Sequence, residues 1–126
     1  MTVLTQPPTM GDVLKYELNP NFTRETITLL AGTAYPVGAV LGRITASGKY
    51  KLATSGGSDG AQNAAAVLLY ATDATAADQN AVVILRGPSI VSKAALVFDA
   101  TIDDAAKIAT KHAQLTALGI IPRDTA

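Results

Sequence analysis

Val40-Leu41-Gly42-Arg43-Ile44-Thr45-Ala46-Ser47-Gly48-Lys49-Tyr50-Lys51-Leu52 is the stretch on which the fold turns. Its first half completes an extended run over residues 37–45 that opens just after Pro36. Ala46-Ser47-Gly48 is a turn by composition, because glycine takes up backbone angles that other residues resist. Beyond the turn, Tyr50 and Leu52 alternate with Lys49 and Lys51, the period of a strand with an inward apolar face and an outward charged one. Two extended runs joined by so short a turn make a β-hairpin, and an antiparallel sheet is seeded mid-chain.

Working outward, residues 26–30 form a strand expected to end at Gly32. Residues 64–70 and 81–85 are apolar at successive positions, which suits strands covered on both faces. The loops 55–60 and 73–80 set them apart, and residues 94–98 read as a last strand. One helix follows, over about 102–118, with Thr101 as N-cap, Asp104 three residues on, and Gly119 and Pro122 as the stop. On a helical wheel Ile102, Ala105, Ala106, Ile108, Ala109, His112, Ala113 and Ala117 share the face expected to be buried, while Asp103, Asp104, Lys107, Thr110, Lys111 and Gln114 oppose it. Asp103 and Lys107 form a favourable i,i+4 pair. The fold class is α+β and mostly β: a small antiparallel barrel or sandwich with one C-terminal amphipathic helix.

The first twenty residues read as a separate piece. Pro7, Pro8 and Pro20, with Gly11 between them, interrupt regular structure, and a Pro-Pro pair prefers extended polyproline geometry. Thr2-Val3-Leu4-Thr5 is β-prone without a partner inside its own segment. Leu14, Tyr16 and Leu18 alternate with Val13, Lys15 and Glu17, giving a strand with one apolar face. The expectation is an extended N-terminal arm over residues 1–20 and a single β-rich domain over 21–126. Thr2, Val3, Leu4, Thr5, Gln6, Pro7, Pro8, Leu14, Tyr16 and Leu18 are its candidate binding residues.

Composition narrows the function. A chain of 126 residues accommodates one domain. Hydrophobic residues make up 48% but aromatic ones only 5%, and 23 Ala and 15 Thr dominate, so the core is built of small side chains. Ten basic and ten acidic side chains cancel, leaving no excess to draw a nucleic acid or an anionic membrane. No secretory signal or membrane-length apolar run is present. The absence of cysteine removes disulfides, thiolate metal sites and thiol nucleophiles together.

Chemistry is sparse. His112 is the only side chain that titrates near neutrality unaided, and it lacks an orienting acid and a nucleophile nearby in sequence. With Ile108 and Leu115 it is better read as part of the core or of an interface between copies. Asp99, Asp103 and Asp104 lack the D-x-[DN]-x-[DN]-G spacing of a calcium loop and suit the start of a helix. The glycines of 55–60 lack the lysine of a phosphate loop, and Ser89 and Ser92 lack the context of a hydrolase nucleophile. No catalytic constellation, cofactor site or metal site emerges; the reading is an assembly component rather than an enzyme.

The order of motifs resembles the head decoration proteins of tailed bacteriophages, typified by the lambda head protein D. The resemblance is carried by an element ending in Gly32, the segment 40–52, Asp59-Gly60, and Ala66-Val67-Leu68-Leu69 with Asp73-Ala74-Thr75. Residues 82–87 and the closing Leu118-Gly119-Ile120-Ile121 extend it over roughly residues 22–122. Family members often carry a glycine before the apolar pair, where Val67 stands here. The resemblance implies a strand-rich fold that assembles as a homotrimer on the outer surface of the capsid at local threefold positions. It also implies that the arm ties major capsid protein subunits together and stabilises the expanded head against internal DNA pressure. The rival reading is a small β-barrel on the virion surface that recognises host carbohydrate, and it is weakened by the shortage of aromatic platforms.

Overall fold

A computed structural model describes residues 9–124; residues 1–8 and 125–126 lie outside the described residues. In chain order the elements are α1 (Met10–Val13), β1 (Leu14–Glu17), α2 (Pro20–Thr23), β2 (Arg24–Leu29), β3 (Ala34–Tyr35), β4 (Val40–Arg43) and β5 (Tyr50–Leu52). Then come β6 (Ala64–Leu68), β7 (Thr72–Asp73), β8 (Gln79–Ile84), β9 (Ser89–Ser92), α3 (Ala105–Ala117) and β10 (Ile120–Arg123).

The hairpin forms as its alternation requires. In β4 and β5 Leu41 faces Leu52 and Arg43 faces Tyr50, antiparallel. Gly48 closes the turn at φ 74°, its N–H donating to the Ile44 carbonyl at 2.8 Å. Tyr50 is buried, and the flanking lysines reach outward to Asp78 and Asp59 at 2.6 and 2.7 Å. Around this hairpin a five-stranded barrel closes in the order β2-β5-β4-β6-β8. Five strands and small side chains leave a narrow interior, which Leu29, Leu41, Tyr50, Ala66, Leu68 and Val83 fill.

Three of the barrel strands, β4, β6 and β8, also contribute their alternate residues to a second core. Val40, Val67 and Ile84 point away from the barrel interior and pack with Val13, Val91, Leu115 and Ile120. This is why residues 64–68 and 81–84 are apolar without alternation: both faces are covered. The covering layer is α3 together with a three-stranded sheet in the order β1-β9-β10. Gly42 marks a tight approach of barrel and loop, since a Cβ there would lie 2.7 Å from the Ala61 Cα and closer still to its carbonyl oxygen. Val67, where the family pattern often has glycine, is ordinary extended backbone, and among the described residues only glycines have positive φ.

Several expectations are corrected. Residues 94–98 are not a strand: Lys93–Ala95 is a 3₁₀ turn, and Val97 contributes only an isolated bridge to Ala39. The strand lies earlier, at β9, where two serines and the preceding Pro88 mask the periodicity. Residues 120–123 are not merely a helix stop; they pair in parallel with β9 as an edge strand, where Pro122 forfeits no needed donor. The C-terminal helix is not the only one, since α1 and α2 each add a single turn.

The helix itself begins later than about 102. Asp104, not Thr101, is its N-cap, accepting from the Lys107 N–H at 2.8 Å, while the Thr101 hydroxyl bonds Asp99. Its buried face is also different. Ala105, Ala106, Ala109, Ala113 and Ala117 are exposed, whereas Lys111 and Leu115 are buried. An alanine methyl removes little apolar area from water, so the helix turns its larger side chains inward. The pair between Lys107 and Asp103 forms as read, at 2.7 Å.

Candidate docking surface

The described part of the expected arm is built onto the domain. Thr9 opens α1 in extended conformation (φ −122°, ψ 171°), and its N–H donates to the Asp12 carboxylate at 2.8 Å. The Asp12 N–H returns a bond to the Thr9 carbonyl at 3.0 Å, a reciprocal cap that fixes the chain's entry angle. Val13 is then fully buried, and β1 runs antiparallel to β9. A register shift between Leu14 and Tyr16 breaks the expected alternation, so these two side chains do not form one inward apolar face. Leu14 is half-buried against the core, while Tyr16 and Leu18 are 49% and 59% exposed.

The end of β1 is pinned by charge. The Arg24 guanidinium meets the Glu17 carboxylate at 2.6 Å, and the Thr23 hydroxyl donates to the same carboxylate at 2.7 Å. Burial pushes the Glu17 carboxyl up, but the hydrogen bonds from Arg24 and Thr23 outweigh it and hold it below the usual carboxylate range. Asn19 caps α2 through its side chain, with Pro20 at the first helical position. Leu18 N–H donates to the Pro88 carbonyl at 3.0 Å, which ties this corner to the start of β9.

Exposed apolar side chains gather on these elements and beside them. Tyr16, Leu18, Phe22 and Tyr70 are each about half exposed, and Arg86 lies 5.5 Å from the Phe22 ring centroid. β1 is an edge strand: among the described residues it pairs with β9 alone. An apolar groove of about 450 Å³ lies beside α1, lined by Thr9, Met10, Gly11, Val37, Leu69, Tyr70 and Ala71. An unpaired edge, half-exposed aromatics and a shallow apolar groove suit recognition of an extended peptide.

Of the candidate arm residues, Thr2, Val3, Leu4, Thr5, Gln6, Pro7 and Pro8 lie outside the described residues. Leu14, Tyr16 and Leu18 lie on this surface. Ile108, His112 and Leu115 lie together on α3, away from β1 in sequence, and Leu115 is wholly buried within the chain's own core. His112 packs on Phe98 with ring centroids 5.9 Å apart, and its Nε2 has no hydrogen-bond partner among the described residues. Burial, reinforced by Lys93, pushes its pKa down, against a smaller opposing effect of Asp124.

The polar group that sequence reading missed is Lys111. It is buried at 2% exposure, with Nζ donating to the Gln62 carbonyl and to Gln114 Oε1. The signal was its position three residues after Ile108 and four before Leu115, on the side of the helix that the larger apolar residues define. Among the described residues no cluster of acidic or imidazole groups could hold a metal ion, and no helix is long and apolar enough to cross a membrane.

A family model described as bacteriophage lambda head decoration protein D matches residues 3–120. No curated protein sequence matches the chain.

Proposed function

Because the chain belongs to the bacteriophage lambda head decoration protein D family, a structural family of the phage capsid, we propose that it acts as a homotrimeric cement on the outer surface of the expanded head. On this reading the trimer sits at local threefold positions and braces neighbouring subunits of the major capsid protein against internal DNA pressure. The observation that carries the reading is the extent of the match: it starts at residue 3, so Val3, Leu4 and Thr5 of the arm fall inside the family pattern along with the barrel.

The chemistry fits such a task. A shell under pressure fails when subunits part, so a cement must hold several at once. Three linked copies turn modest contacts into avidity, because each contact raises the effective concentration of the next. Thr2-Val3-Leu4-Thr5 has the composition to add to a capsid-protein strand, with backbone hydrogen bonds supplying affinity and alternate side chains supplying register. A net charge of zero lets copies crowd a lattice without accumulating repulsion.

The test is co-sedimentation with empty expanded capsids. The full chain is expected to pellet with them, and a chain lacking residues 1–8 to stay in the supernatant while keeping its circular dichroism. Unchanged binding by the shortened chain would remove the arm from the mechanism.

A further inference from the structure

We infer that Asp59-Gly60 is a latent site of succinimide formation and isoaspartate conversion, and that the side chains of Gln62 and Lys51 keep it closed.

The chemistry begins with the sequence. Asp59-Gly60 is the chain's one Asp-Gly step, and no Asn-Gly step accompanies it. Glycine leaves its backbone nitrogen unshielded and the chain free to turn, so an aspartate before it is open to attack from within the chain. The Gly60 nitrogen attacks Asp59 Cγ; a C–N bond forms, the carboxyl C–O bond breaks, and the hydroxyl leaves with the amide proton as water. The five-membered ring reopens by addition of one water. Opening at Cγ restores aspartate, whereas opening at the former main-chain carbonyl routes the chain through Cγ as isoaspartate, with no net change of mass or oxidation state.

A run of Ser, Gly and Asp over residues 55–60 has the composition of a loop permissive for this ring closure. The fold ties down each group that the closure needs. The Gly60 N–H, which must turn towards Cγ and shed its proton, donates instead to Gln62 Oε1 at 2.8 Å. Both carboxylate oxygens of Asp59 are engaged, Oδ1 by the Ala61 N–H at 3.1 Å and Oδ2 by Lys51 Nζ at 2.7 Å. The Lys51 hydrogen bond, and after it that of Ala61, holds the Asp59 carboxyl below its usual range, in the ionised form that has no hydroxyl to lose. The main chain is fixed as well: the Asp59 carbonyl accepts from the Thr45 N–H at 2.8 Å and the Gly60 carbonyl from the Asn63 N–H at 3.3 Å. Gly60 stands at φ 102° with the Arg43 carbonyl oxygen 2.6 Å from where a Cβ would lie, so it is wedged against the end of β4.

Conversion would strike the fold at its tightest point. Isoaspartate lengthens the main chain by one methylene just before Ala61, which is fully buried and whose backbone lies against Gly42 without space for a methyl group. In a protein retained in a particle and not replaced, such damage accumulates.

The experiment incubates the full chain in warm neutral buffer below its unfolding midpoint and measures isoaspartate at residue 59 by enzymatic methyl labelling and fragmentation mass spectrometry. The chains are wild type, Gln62→Ala, Lys51→Met and Glu17→Gln, with wild type in guanidinium chloride as the unguarded reference. Gln62→Ala keeps the main-chain carbonyl that Lys111 uses, so the contact of α3 with this loop remains. Folded wild type is expected to convert about tenfold or more slowly than the denatured chain, since several hydrogen bonds must open. Gln62→Ala should convert about 2- to 10-fold faster than wild type, the factor one hydrogen bond is worth, and Lys51→Met about 2- to 5-fold faster. Glu17→Gln, destabilised at a distant corner, should convert at the wild-type rate, with circular dichroism confirming that all the variants are folded. Equal rates in folded and denatured wild type, or an unchanged rate in either guard variant, would overturn the inference. Acceleration in Glu17→Gln equal to that in Gln62→Ala would overturn it too, because global opening rather than the two side chains would then control the site.

Discussion

The Lys111 ammonium donates to the main-chain carbonyl of Gln62, across 49 residues of sequence, with its side chain almost wholly buried. It forms no ion pair among the described residues. The adjoining Gln114 Oε1 accepts both from Lys111 and from the Ala64 N–H at 2.8 Å, so one small polar cluster fastens α3 to the start of β6. Burial pushes the Lys111 ammonium below its usual range. A lysine of lowered pKa binds fewer protons when folded than unfolded, so stability rises with pH between the lowered value and the ordinary 10.5. Lys111→Met should cost about 1–2 kcal/mol at neutral pH, because the Gln62 carbonyl is left without its donor. Denaturant titrations at about pH 7 and about pH 10 should show the wild type gaining on the variant as pH rises.

The Glu17 carboxylate works in the opposite part of the scale. Its folded pKa lies below the ordinary 4.5, so its contribution is present above that value and is lost as acid protonates the folded carboxylate. The pair is only partly exposed, at 10% for Glu17 and 23% for Arg24, so it is worth more than a surface ion pair. Glu17→Gln is expected to lower stability by about 1–2 kcal/mol near pH 7 and by progressively less as the pH falls below the ordinary carboxylate value. Equal loss at neutral and acidic pH, measured by urea unfolding, would mean that the carboxylate charge does not hold this corner.

Gly42 has no room for a side chain. A Cβ there meets backbone atoms of Ala61 rather than a flexible side chain, so the loop itself must move. Gly42→Ala should therefore destabilise by about 2–3 kcal/mol despite better strand propensity. Thermal unfolding measures this, and a change below about 0.5 kcal/mol would show that the loop yields freely.

Tyr16 and Leu18 make few contacts within their own chain, so their alanine variants should unfold within about 0.5 kcal/mol of wild type. Capsid co-sedimentation of the same variants should weaken, more for Tyr16→Ala than for Leu18→Ala, because tyrosine is enriched and leucine under-represented among the residues that dominate docking energies. Full decoration by a Tyr16→Ala/Leu18→Ala variant would place the docking surface elsewhere.

The barrel was legible because its residues carry the signal locally. The Tyr50/Leu52 alternation, the turn at Gly48 and the doubly covered runs at 64–68 and 81–84 are visible from neighbours alone. β9 was not legible, since its identity comes from partners far away in sequence, β1 and β10. The helix face was misread because the wheel counted alanines as equal to larger side chains, although Leu115 and the Lys111 stem bury far more surface. On the docking surface, the exposed positions of Tyr16 and Leu18 depend on a register shift that no composition shows.

The two layers of the molecule are assembled from chain segments of different kinds. All five barrel strands fall between Arg24 and Ile84, whereas the outer sheet joins residues 14–17, 89–92 and 120–123. Pairing β1 with β9, Leu14 opposite Val91, closes a longer loop than any pairing in the barrel, which costs more entropy and slows the step that completes the sheet. The barrel is therefore expected to mature first and the sheet last. During that interval a folding chain is a closed, compact barrel whose grip is unfinished, and competence to join a particle arrives as the final event of its folding.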